Sequence, residues 1–187
     1  MTDEALLPDD IMNQILADIE SVPEEAVEHL RALIPQYRAD ARLPYLCGSV
    51  LAGLGQYAEA HALMRAAVTI APGYDLARFH LGLLELTSGD GAAAEATWAP
   101  LLDRAADQPL RLFVEGLQHM VKDAFTEATR LLQEGIARNT LLPPLNKDMK
   151  MLIDEMARKI EERADEAQIE SDANFLLKQF SFKPTRH

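Results

Sequence analysis

A chain of 187 residues can bury one sizeable core or stack a short array of repeats, and it is too short for two large domains. Aromatics make up only 6%, and alanine and leucine dominate over valine and isoleucine, so composition favours an all-α fold. Lysine and arginine number 18 against 30 aspartates and glutamates, a net charge of −12 with no basic stripe, which argues against nucleic acid as a partner because that affinity begins with cations neutralising phosphates.

The first residues, MTDEALLPDD, are acidic and carry neither the basic nor the apolar region of a secretory signal. No run of about 18 apolar residues follows that would span a bilayer. Cys47 is the single cysteine, so an internal disulfide is excluded and a cytoplasmic location is expected, with Cys47 packed as a small hydrophobe. A helix is predicted from Asp10 to Glu20 with Asp9 or Asp10 as its N-cap. A second follows from Pro23, which suits a first helical turn, to Ile34.

From residue 41 the sequence repeats itself. Gly48, Gly82 and Gly116 are spaced by 34, and the same period relates Ala60, Ala94 and Ala128, then Met64, Trp98 and Leu132, and the turn positions Gly55, Gly89 and Asp123. Tyr57, Gly91 and Phe125 form a further column. Interior glycine costs a helix roughly 1 kcal/mol against alanine, so a glycine recurring at one register implies a packing requirement. The glycine and alanine columns let the two helices of a hairpin approach closely, and Met64, Trp98 and Leu132 are expected to fill space between successive units.

A 34-residue period with a small residue in the first helix, a Gly-x-aromatic turn, an alanine in the second helix and a closing proline resembles the tetratricopeptide repeat family. The resemblance implies an α-solenoid of stacked antiparallel helix pairs with a C-terminal capping helix. It covers residues 41–142 as three repeats, 41–74, 75–108 and 109–142. Residues 1–40 form a degenerate N-terminal repeat or cap, with Ala26, Leu30 and Leu33 in register but Gln14 and Pro23 replacing the glycine and the aromatic. In the third repeat Glu115 and His119 stand where the family has large apolar residues, and their spacing allows a pair on the helix surface.

After Pro143 and Pro144, Leu145, Met149, Leu152, Ile153, Met156 and Ile160 make an amphipathic stripe. It predicts a capping helix within 143–168, starting near Asn146 and ending near Ala167. The apolar tail, 169–187, keeps Phe175, Leu176, Leu177, Phe180 and Phe182, which implies contact with the repeats or with a partner.

No phosphate loop, nucleophile elbow or metal-ligand spacing is present, so the sequence reads as a protein without enzymatic activity, cofactor or metal. What remains is binding of a protein or peptide, with self-association through the tail as one form of it. In the family the first helix of each repeat lines a concave groove. The resemblance therefore assigns the groove to Arg42, Tyr45 and Ser49 in the first repeat, Leu76, Phe79, Leu83 and Leu86 in the second, and Leu110, Phe113, Leu117 and Met120 in the third. These positions lack the Lys, Asn and Arg clamp that holds charged C-termini in some tetratricopeptide proteins. An adaptor or assembly factor holding an apolar peptide or helix is one expectation. A cytoplasmic bacterial chaperone is the other, because GQYAEAHALM and YDLARFHLGL are similar to segments of the tetratricopeptide chaperones of type III translocators.

Overall fold

The computed structural model describes residues 5–180, with side chains through Glu170, and the chain divides into two compact units at Arg104. The division falls in the loop 103–108, every residue of which is exposed. Among the described residues all regular structure is helical. The first unit holds α1 (Asp9–Ser21), α2 (Pro23–Leu33), α3 (Arg42–Gly53), α4 (Tyr57–Ile70), α5 (Asp75–Thr87) and α6 (Gly91–Leu102). The second holds α7 (Pro109–Val121), α8 (Phe125–Arg138) and α9 (Pro143–Phe180).

The pairs α3–α4, α5–α6 and α7–α8 each close on a glycine of the first helix. A Cβ added to Gly48 would stand 3.0 Å from Met64 Cγ; at Gly82 it would lie 2.3 Å from Trp98 Nε1, and at Gly116 2.7 Å from Leu132 Cδ2. The large side chain of the second helix thus lies against the backbone of the first within one hairpin. Met64 also meets the expectation that this column fills space between successive repeats, since it packs in one cluster with Leu81 and Leu84 of α5, while Trp98 and Leu132 are drawn onto the glycine of their own hairpin. Trp98 is 1% exposed and donates its indole N–H to the Phe79 carbonyl at 2.9 Å. No alternative partner is needed for that buried donor.

The turns repeat as faithfully as the packing. The Gln56 N–H donates to Leu51 O, the Asp90 N–H to Glu85 O and the Ala124 N–H to His119 O, at 2.8, 2.9 and 3.0 Å. Such bonds across five residues close a helix through a left-handed residue. That residue is Gly55 (φ 77°), Gly89 (φ 88°) and, in the second unit, Asp123 (φ 57°).

In the first unit α2 packs on α3 and α4 on α5, burying a core that includes Leu7, Ile15, Leu30, Leu43, Cys47 and Leu51. Burial pushes the Cys47 thiol up to about 11, so it stays protonated and inert. The N-cap of α1 is Pro8, not Asp9 or Asp10, and Asp40 is what fixes the chain there. Asp40 is 1% exposed and accepts the Leu7 N–H at 3.0 Å, while Arg42 binds it at 2.6 Å and donates to the Leu7 carbonyl at 3.0 Å. Burial acts to raise the Asp40 carboxyl, but the hydrogen bonds from Arg42 and from the Leu7 and Arg42 amides prevail and hold it below the ordinary range.

In the second unit α8 packs on both α7 and α9. Arg111, not His119, pairs with Glu115, at 2.8 Å across one turn. The helix α9 begins at Pro143 rather than near Asn146, because prolines are compatible with a first turn. It also runs on past Ala167 to Phe180, since no glycine or proline interrupts residues 145–180. Leu145, Met149 and Met156 are buried; every residue from Ala157 to Glu170 is exposed, and Arg163 reaches back to Asp123 at 3.0 Å and lies 5.0 Å from the centre of the Phe125 ring.

Two stability measurements test this packing. Trp98→Ala removes the side chain over Gly82 and should cost about 3–5 kcal/mol in chemical denaturation; a loss below about 1 kcal/mol would mean that the site collapses without penalty. Asp123→Gly should raise stability by about 0.5–1 kcal/mol, because glycine relieves the left-handed backbone and the exposed Arg163 pair contributes little. A fall in stability for this variant would show that the ion pair outweighs the strain.

Candidate functional site

The aromatic positions assigned to the groove are in the core. Tyr45, Phe79 and Phe113 share one register of the 34-residue period and are 7%, 0% and 0% exposed. Phe79 stacks on Trp98 with centroids 6.2 Å apart, and Phe113 sits so close to Gly135 that a Cβ there would be 2.5 Å from its ring. Leu117 is also fully buried. The assignment fails for these residues because each first helix is apolar over most of its circumference, and the hairpin consumes more of it than the glycine face alone. Arg42 is diverted as well, into the bonds with Asp40 and Leu7 described above.

Leu76, Leu83 and Leu86 are half-buried in the first unit, and Leu110 and Met120 are half-buried in the second. Phe175, Leu176, Leu177 and Phe180 lie beyond the described side chains, and Phe182 lies outside the described residues.

Around Leu83 the first unit leaves a cavity of about 280 Å³. Ser49 and Ala52 of α3 face it together with Tyr57 and Met64 of α4 and His80, Leu83, Leu84 and Thr87 of α5. The space exists because α3 carries short side chains opposite the leucines of α5. Three of its polar side chains already make hydrogen bonds within the protein. Ser49 donates to the Tyr45 carbonyl at 2.9 Å, Thr87 donates to the Leu83 carbonyl at 2.9 Å, and His80 Nδ1 is hydrogen-bonded to the Tyr45 hydroxyl at 2.8 Å. What the cavity offers is therefore a mainly apolar wall in which the Ser49 and Thr87 hydroxyls already donate to carbonyls, suited to an apolar side chain.

Tyr45 stacks flat on His80 with centroids 5.7 Å apart and meets Tyr74 edge-on at 5.1 Å. Burial pushes the Tyr45 hydroxyl up and His80 down to about 4, so both are neutral near pH 7. Periodicity alone does not reach His80, Met64, Leu84, Thr87 and Tyr57 as wall residues. The short side chains of Ser49 and Ala52, in the columns that carry Leu83 and Leu117 and then Leu86 and Met120 in later repeats, are the one sequence signal of a cavity. Tyr57, in the turn column, is 57% exposed beside it.

The His80 shift has a definite sign. An imidazole depressed to about 4 in the fold but titrating near 6.5 when unfolded favours the native state above about pH 6.5, and that contribution is lost as pH falls towards 4. Urea denaturation at pH 7, 6, 5 and 4.5 should show the loss, and His80→Gln, which keeps a hydrogen-bonding group for Tyr45 without a titratable ring, should flatten it. Identical acid slopes in both proteins would assign the loss to carboxylates.

Residues 51–111 match the family model described as Tetratricopeptide repeat. No curated protein matches the chain by sequence. Among solved structures, MamA 41-end from Desulfovibrio magneticus RS-1 superposes with a TM-score of 0.58 at 16% identity, covering 91% of this chain and 95% of that one. A further MamA crystal structure gives a TM-score of 0.55 at 18% identity over 66% of this chain and 73% of its own. At these identities the likeness concerns the fold. The family match covers residues 51–111, and the glycine contacts and left-handed turns give the helix pairs that carry them a tetratricopeptide-like packing.

Proposed function

We propose that this protein is a non-enzymatic protein-interaction module, an adaptor or assembly factor, which holds an apolar side chain of a partner protein in the cavity between α3 and α5. The observation that carries this reading is the cavity itself, about 280 Å³ with its hydroxyls turned onto carbonyls of their own helices. Water in such a space finds few free partners, so replacing it with an apolar group is favourable. Among the described residues no helix is long and apolar enough to cross a membrane.

The chaperone form of this reading draws on the same cavity. The two segments similar to translocator chaperones, 55–64 and 74–83, supply Tyr57, Met64, His80 and Leu83 to its wall.

Leu83→Glu tests the reading, because a carboxylate in the cavity must be desolvated without a partner. Partners captured from the native source and quantified by mass spectrometry should fall by about tenfold or more, as expected when a central anchor is lost. Helix content and the cooperative melt should survive, whereas Phe79→Glu, placed under Trp98, should unfold the protein. Unfolding of Leu83→Glu would return this leucine to the core, and undiminished capture would move the partner elsewhere.

A further inference from the structure

Beside the apolar cavity, and sharing Tyr57 with it, lies a second cleft of about 380 Å³ between the first turn of α4 and the end of α5. Its wall contains His61, Glu85, Ser88 and Asp90. Glu85 is 7% exposed, and its carboxylate is only half engaged: Oε1 is 3.2 Å from His61 Nε2, while Oε2 is buried without a hydrogen-bond partner. An unsatisfied buried carboxylate oxygen destabilises the unit that contains it, and glutamine or leucine would fill the same volume at lower cost. Glu85 makes sense where something else brings the missing donor.

The surroundings define that donor. Asp90 caps α6 by accepting the Ala93 N–H at 3.0 Å through Oδ1, which leaves its second oxygen and its charge facing this end of the unit. Tyr57 is 57% exposed and offers a ring face, which attracts cations. An anion would meet two carboxylates here. A metal ion would need three converging ligands, and no such group of His, Cys, Asp and Glu stands among the described residues. A single ammonium or guanidinium matches the site, and a chain of net charge −12 attracts basic segments at long range.

We infer that this cleft receives a lysine or arginine side chain from a partner protein, whose neighbouring apolar residue fills the cavity between α3 and α5. The inference rests on the cavity being a partner site, as proposed above. It gives the recognised segment a chemistry, an apolar anchor next to a base.

Acetylated tetrapeptide amides with the sequences Ala-Leu-Arg-Ala and Ala-Arg-Leu-Ala can be titrated into the isotopically labelled full chain. For at least one of them the amide signals of Tyr57, His61, Glu85 and Ser88 should shift in step with the Leu83 and Leu84 methyl signals. Exchanging arginine for citrulline should weaken binding about thirtyfold or more, the order expected when a buried charge pair loses one member. Glu85→Gln should weaken the arginine peptide to the citrulline level and leave the citrulline peptide unchanged, with a melting temperature equal to or above that of the parent. Asp90→Asn, which keeps the helix cap, should weaken the arginine peptide by a smaller factor.

Equal affinity for the arginine and citrulline peptides, with the Leu83 and Leu84 signals still moving, would overturn the cation site and leave the apolar cavity standing. No shift at either cleft would overturn both. Free arginine or spermidine binding as tightly as the peptide would make this a small-cation site and overturn the inference, and so would preferential binding of a peptide of residues 178–187, KQFSFKPTRH, by naming the chain's own end as the occupant.

Discussion

A side chain as large as Trp98 can lie directly on the backbone of the facing helix where that helix lacks a Cβ. Gly48, Gly82 and Gly116 supply that gap, and Met64, Trp98 and Leu132 occupy it. Helical propensity is sacrificed at these glycines, and at Gly135 of α8 as well, about 1 kcal/mol each, and is regained through burial of a side chain that would otherwise hold the helices apart. The turn geometry follows from the same closeness. A short connection between tightly packed antiparallel helices needs a left-handed residue, which is glycine at 55 and 89 and an aspartate at 123.

These features are legible in the sequence because they recur. A requirement of backbone geometry admits few residue types, so the glycine, alanine and turn columns stand out at a 34-residue spacing without any structure. The column of Tyr45, Phe79 and Phe113 recurs just as clearly, and there recurrence misleads. Large apolar residues serve equally in a core or on a binding face, and periodicity alone cannot separate the two. Burial of all three resolves the ambiguity towards the core. The cavity around Leu83 is hidden for the opposite reason, since it is formed where Ser49 and Ala52 are small, and an absence of volume leaves only a faint trace in a sequence.

The C-terminal helix shows a different limit. Its apolar stripe locates the segment that packs on α8, and Leu145, Met149 and Met156 are the residues buried there. The stripe does not say where the helix stops, because termination depends on breakers and caps rather than on the end of apolar contact. At 38 residues α9 extends about 57 Å, against about 21 Å for the 14 residues of α8. Its exposed middle is sustained by local propensity and short-range ion pairs such as Arg158 with Glu155, with Arg163 as a tether to the turn at Asp123.

The two clefts of the first unit differ in how their polar atoms are treated, and this difference bears on how such a surface can select a partner. In the apolar cavity the hydroxyl protons of Ser49 and Thr87 and Nδ1 of His80 are engaged inside the protein, so that the wall selects a ligand mainly by shape and apolar area. Burial of such area gives affinity but discriminates weakly, by about 1–3 kcal/mol per methylene. In the neighbouring cleft Glu85 retains a buried oxygen with no donor. A partner that lacks a donor leaves that cost in place, whereas one that supplies it removes the cost and gains a charge-assisted bond. Selectivity for a basic residue thus comes from what the fold leaves unsatisfied beside a site that is otherwise complete.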